Sequence, residues 1–268
     1  MKKFIRSVSA MLVATAAMAA APSAFAAWSF TSGATVNGDY SGTGTTTGVT
    51  GNASVSLGVQ ATGWSSVPPN AFTDQNLTIY AGSGFGMQGT GDAQHGLDNI
   101  TNKEAVVLKF DSSVILNQVK LGYVQSGFDS DVTLLRWNGA ATGPNMASMT
   151  PGNLIASGWE LVGSYADIGT TTKSFTNTTK GSSWWLISAF NSTYGGAATT
   201  ALTNSDDYFK LASVAGTKCI SSGTVNCGSS GGGNTGVVSE PASLALVALA
   251  LVGAYGSRRR KDRTAVQS

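Results

Sequence analysis

The stretch Ala105-Val106-Val107-Leu108-Lys109-Phe110, then Asp111-Ser112-Ser113, then Val114 to Val124, decides the fold class. Its first part is rich in β-branched and apolar residues, and Asp-Ser-Ser reads as the turn that closes it. In its second part Ile115, Val119, Leu121 and Tyr123 share one face at period two, with the pattern interrupted at Asn117. Downstream, Gly127-Phe128-Asp129-Ser130-Asp131 is a turn signal, and Val132 to Trp137 alternates Val132, Leu134 and Arg136 against Thr133, Leu135 and Trp137. Further strands are expected at Trp159 to Val162, Trp184 to Phe190 and Tyr208 to Val214. Upstream, Leu77 to Tyr80 and the alternation of Val55, Leu57 and Val59 read the same way. No amphipathic helix interrupts this series. The pattern predicts an all-β body, a single antiparallel β-sandwich of jelly-roll-like form, with long Gly/Ser/Thr turns.

Both ends of the chain differ in kind from this middle. Lys2, Lys3 and Arg6, the apolar run from Val8 to Ala21, and Ala24-Phe25-Ala26 have the layout of a secretory signal peptide. Helix-breaking Pro22 follows that short run, so the mature chain is expected to start near Ala27. At the other end, Ala242 to Gly256 is uncharged and apolar, shorter than the ~20 residues of a comfortable membrane span. Val237 and Val238 extend it to a marginal span, and Arg258-Arg259-Arg260-Lys261 marks its cytoplasmic side. Gly228-Ser229-Ser230-Gly231-Gly232-Gly233-Asn234 is a flexible linker. The expected division is a signal peptide over 1–26, a β-sandwich ectodomain over 27–227, a linker over 228–236 and a terminal segment over 237–263.

These ends also explain the formal net charge of +2. Between Ala27 and Ser239 there are 8 basic and 12 acidic residues, a net charge of −4. Nucleic-acid binding thereby loses its compositional support.

Little in the ectodomain points to turnover. His95, the only histidine, sits in Asp92-Ala93-Gln94-His95-Gly96-Leu97-Asp98-Asn99, and no Gly-x-Ser-x-Gly elbow supplies it with a nucleophile. No catalytic residue is therefore expected. One His and two distant Cys do not supply zinc spacing either. Asp92, Asp98 and Asn99 in one loop, or Asp129 and Asp131 in another, could bring hard oxygens to Ca²⁺, although Asx residues in Gly-rich turns ordinarily serve the backbone. No other cofactor is expected. Glu104 and Glu160 are the only ectodomain glutamates, and nothing in the sequence ties them together as a glycosidase pair.

Trp64, Trp137, Trp159, Trp184 and Trp185, with Tyr80, Tyr123 and Tyr194, are core or carbohydrate-stacking candidates. Adjacent strand residues point to opposite faces, so one of Trp184 and Trp185 should be buried and the other exposed or covered by a loop. Cys219 and Cys227 enclose seven residues. Outside the cytoplasm such a pair favours a disulfide pinning the end of the domain, with two reactive thiols as the alternative.

Two resemblances follow from these motifs. The order Ser239-Glu240-Pro241, short apolar helix and Arg258-Arg259-Arg260 resembles the PEP-CTERM sorting signal, with Ser239 in place of the usual first proline. In that family the signal is recognised and processed by exosortase, a membrane protease-transpeptidase. A permanent single-span anchor is the other reading of the same tail. The motifs Gly96-Leu97-Asp98-Asn99, Leu108-Lys109-Phe110-Asp111, Asp129-Ser130-Asp131-Val132-Thr133, Gly158-Trp159-Glu160-Leu161-Val162-Gly163, Trp185-Leu186-Ile187-Ser188-Ala189 and Asp207 to Gly216 are similar to those of exosortase-dependent bacterial surface proteins.

The resemblances imply export through the Sec machinery and transient anchoring in the inner membrane. They further imply residence at the surface or in the extracellular matrix of a Gram-negative bacterium, in an exopolysaccharide-producing context. The expected role is structural or adhesive, in exopolysaccharide or biofilm, without enzymatic activity. The alternative is a carbohydrate-binding module or an extracellular hydrolase using the Asp92 to Asn99 loop.

Overall fold

The computed structural model describes residues 25–35, 38–46, 56–87, 95–175 and 180–219. Among them lie β1 (Phe25–Ser29), β2 (Tyr40–Thr46), β3 (Ser56–Ser66), β4 (Thr73–Gln75), β5 (Leu77–Tyr80), β6 (Gly84–Met87) and β7 (Leu97–Asp98). β8 (Lys103–Val124), β9 (Val132–Trp137), β10 (Trp159–Tyr165), β11 (Thr172–Ser174), β12 (Ser182–Ala189) and β13 (Tyr208–Lys218) complete the series. Three single turns of 3₁₀ helix, at Met146–Ser148, Pro151–Asn153 and Ser192–Tyr194, are the only helical pieces among the described residues.

The strands join in one antiparallel sheet, ordered β10-β9-β12-β8-β3-β2-β1-β13-β6-β5, with β11 on β8, β4 on β3 and β7 on β13. The all-β, antiparallel expectation is met, and β10 and β5 form the open ends of the sheet. β8 is its spine. From Lys103 to Phe110 it runs between β3 and β12, and from Val114 to Val124 between β13 and β11. The expected turn at Asp111-Ser112-Ser113 is instead where the strand exchanges partners without ending. Asp111 Oδ2 accepts from the Gly58 backbone N–H at 2.9 Å, so its carboxylate serves the neighbouring strand and not a turn of its own.

The interruption seen at Asn117 also has a cause. Gln118 pairs with Ala215 and Leu116 with Gly216, which leaves Asn117 as the extra residue of a bulge. The bulge shifts the phase by one residue, so Leu116 joins Val119 and Leu121 in the core where strict alternation points to Ile115.

Because β8 pairs with β13 as well as β3, its two halves feed one apolar cluster. Val106, Leu108 and Phe110 meet Leu116, Val119 and Leu121 there, together with Trp28, Phe30, Phe85, Trp185 and Phe209. Trp28 lies 4.6 Å from Phe110 between ring centroids and donates its indole N–H to the Leu57 carbonyl at 2.9 Å. Full burial of each such side chain is worth about 1.5–3 kcal/mol.

The β9 and β12 part of the sheet is covered on both faces. A second cluster of Phe72, Val107, Leu135, Trp137, Met146, Met149, Leu154, Trp159, Leu186 and Tyr194 plugs the other side. All six residues of β9 are therefore buried, Arg136 included, on both of the faces that its sequence alternates.

Phe25 and Ala26, the last two residues of the expected signal peptide, already run in β1 opposite Thr217 and Gly216. The rest of that segment, residues 1–24, lies outside the described residues. So do Asp92, Cys227, the linker 228–236 and the terminal segment 237–263 with Ser239, Glu240, Pro241, Arg258, Arg259 and Arg260. Among the described residues no helix is long and apolar enough to cross a membrane.

Candidate functional site

Four connections converge on one patch of carboxylates. Asp129 and Asp131 end the turn before β9, Asp206 and Asp207 precede β13, Asp167 follows β10, and Asn99 follows β7. A parallel bridge between Asp129 and Asp207 ties the first two connections. The Asp129 N–H donates to the Asp206 carbonyl at 2.7 Å, and the Tyr208 N–H to the Asp129 carbonyl at 3.1 Å.

Asp207 is fully buried and polar on every side. Its Oδ1 accepts from the Asp131 N–H at 2.5 Å and its Oδ2 from Asn99 Nδ2 at 2.6 Å, while its own N–H donates to Asn99 Oδ1 at 3.0 Å. Asn99 Nδ2 also donates to the Phe190 carbonyl at 2.6 Å. Both Asn99 side-chain atoms are therefore committed to stitching β7, β12 and β13 together. Asp131, likewise buried, accepts from the Asp167 N–H at 2.9 Å and the Thr203 N–H at 3.0 Å.

Charge is costly here. Burial, and then the Asp131, Asp129 and Asp206 carboxylates, push Asp207 up to about 8. Burial pushes Asp131 up to about 6, with Asp129 and Asp167 adding to the rise. Asp129 is raised by burial first and by Asp167 and Asp206 after it.

Asp129, Asp131 and Asp167 each offer a carboxylate oxygen, all within 4.8 Å of one another. Three hard oxygens at such separation suit a cation such as Ca²⁺, with Asp167 as the exposed member. Of the two calcium loops read from the sequence, only Asp129 and Asp131 come together with a third carboxylate. Asp98 Oδ1 instead accepts from the Ile100 N–H at 2.9 Å, an Asx turn, and Asp92 lies outside the described residues. Asp167 and Asp207 were not singled out as ligands or site residues from the sequence, because only the β13 bridge and the β10 connection bring them here.

The two glutamates stand apart. Glu104 is buried on β8 and accepts from the Asp98 N–H at 3.2 Å. Glu160 on β10 pairs with Arg136 and, at 3.0 Å, with Lys180. Partial burial raises Glu160, but Lys180 and Arg136 outweigh it and hold the carboxyl below its usual range. His95 takes a left-handed backbone, φ +52°, and its ring stacks 6.3 Å from Tyr80.

The aromatic candidates divide as strand geometry requires. Trp185 is fully buried, and its indole N–H donates to the Val114 and Ser182 carbonyls, each at 3.0 Å. Trp184, on the opposite face, is half-buried, with Lys109 Nζ 5.2 Å from its ring centroid. Register sets Gln60, Lys109 and Trp184 side by side, and Thr62 and Trp64 continue the same face of β3. Trp64 is half-buried and donates to Thr62 Oγ1 at 2.8 Å. Trp137 and Trp159 pack edge to face at 5.5 Å inside the second core. Tyr80 and Tyr123 flank buried Lys210 at 4.6 and 4.5 Å, and burial drives the Tyr194 hydroxyl far above its ordinary value. Cys219 follows β13 half-buried, its N–H donating to the Ser113 carbonyl at 2.9 Å.

No curated protein and no solved structure matches the chain. A family model described as the PEP-CTERM protein-sorting motif matches residues 237–261, covering the Glu240-Pro241 pair, the apolar run and the arginine cluster. The chain thus carries the PEP-CTERM sorting motif, which supports a protein of the exosortase-dependent kind.

Proposed function

We propose that this chain is a non-enzymatic protein of the Gram-negative cell surface or matrix whose β-body makes adhesive contacts with polysaccharide. The motif over residues 237–261 supports its export and its handling by exosortase. The contact itself is carried by one observation: Trp184, half-buried at the edge of the second apolar cluster, stands beside exposed Lys109 and Gln60. An indole face with amide and ammonium donors next to it is the chemistry that stacks on and hydrogen-bonds a pyranose.

The engagement of Asn99 and Asp98 by backbone groups supports the non-enzymatic reading. The exchange of partners along β8 supports a two-layered sandwich, since both halves of the strand face one core. The position of Cys219 at the end of β13 supports a disulfide with Cys227 that closes the body before the linker.

A glycan array probed with the full-length chain in detergent tests the reading. Binding to an exopolysaccharide fragment is expected, weakened about tenfold in Trp184→Ala. Binding indifferent to that change contradicts the adhesive face, and glycan turnover abolished by His95→Ala or Asp98→Ala establishes the hydrolase alternative.

A further inference from the structure

We infer that the outer face of β1, β13, β8 and β11 carries a second binding site, a polar cleft that takes a uronate-bearing oligosaccharide. Register lays two rows across these four strands. Ser29, Ser213, Lys120 and Thr172 form one, and Ala27, Ala215, Gln118 and Ser174 the other. Residues of one row project from the same face, while their chain neighbours Trp28, Val214 and Val119 enter the core.

Over the first row lies a cleft of about 310 Å³, at the lower end of the range for ligand sites. Ser29, Thr31, Lys120, Thr170 and Ser213 line it. A smaller cleft of about 100 Å³ shares Ser213 and adds Gln118 and Thr172. The rows are two residues apart along each strand, about 6.6 Å, so the joined clefts suit an extended ligand better than a compact anion.

Their chemistry is selective. Beside aliphatic and small residues, hydroxyls, one amide and one exposed ammonium line them, with no carboxylate and no aromatic ring among the described lining residues. In an ectodomain with 12 acidic and 8 basic residues, a cleft holding only the basic kind favours an anion. Ala27, Ser213 and Ala215 keep the floor low, and the hydroxyls and Gln118 match sugar hydroxyls while Lys120 meets a carboxylate. This site is separate from the Trp184 face, so either can fail without the other.

Calorimetric titration of the full-length chain in detergent with hexagalacturonate, and with its methyl ester, tests the inference. The acid is expected to bind about tenfold tighter than the ester, the order of one hydrogen bond to a charged group. Lys120→Gln should remove that advantage, Lys120→Arg should keep it, and Trp184→Ala should leave it unchanged. The inference is overturned by no binding at millimolar acid, by equal affinity for acid and ester, or by indifference to Lys120→Gln.

Discussion

At Asp207 both carboxyl oxygens face nitrogen donors, one from Asn99 and one from Asp131, inside a patch shared with four other aspartates. Asp207→Asn has to turn its NH₂ toward one of those donors and lose a hydrogen bond, costing about 1–3 kcal/mol. The sign of the pH effect follows from the shifts. Asp207, at about 8, and Asp131, at about 6, are raised from 3.8, so each stabilises the fold fully only below about pH 4. That contribution drains away as pH climbs through the folded values. Glu160 is lowered from 4.5, so its contribution is lost in the opposite direction, on acidification. The melting temperature should therefore peak near pH 4.5 and fall towards about pH 8.5, with the fall above pH 6 reduced in Asp207→Asn. A melting temperature that is level or rising from pH 5 to pH 8.5 contradicts this account of the patch.

Among the elements, β12 shows most plainly how neighbouring residues divide labour. Trp185→Ala empties a fully buried site and removes two carbonyl contacts, so it should cost about 3–5 kcal/mol. Trp184→Ala should cost less than about half that, because its ring is half in water. Chemical denaturation of the two variants gives the comparison, and equal losses refute the assignment of faces.

The same strand shows what the sequence could reveal. β8, β9, β12 and β13 are written in Val, Ile, Leu and Trp at period two, and all four were legible. β1, β2, β4, β6, β7 and β11 were not, because they are short or built from Gly, Ala, Ser and Thr, whose burial is decided by the neighbouring strand. The partner exchange at Asp111 was hidden for a different reason: a strand that changes partners there carries the same Asp-Ser-Ser letters as a turn. Two of the five aspartates of the acidic patch were readable as Asp129 and Asp131, but Asp167 and Asp207 arrive through contacts 36 and 76 residues distant from Asp131.

At the scale of the whole molecule, the β-body and the sorting motif do different work. The body carries two candidate faces, Trp184 with Lys109 and the Lys120 cleft, on a sheet held from both sides by apolar clusters. The motif at residues 237–261 decides where that body ends up. Processing by exosortase leaves a chain without its arginine cluster, whereas a lasting anchor keeps every residue to Ser268. Mass spectrometry of the protein recovered from cells and from the medium of its host reads this directly. A C-terminus near Glu240 is the expected result, and an intact C-terminus at Ser268 in a host that possesses the sorting enzyme contradicts the account.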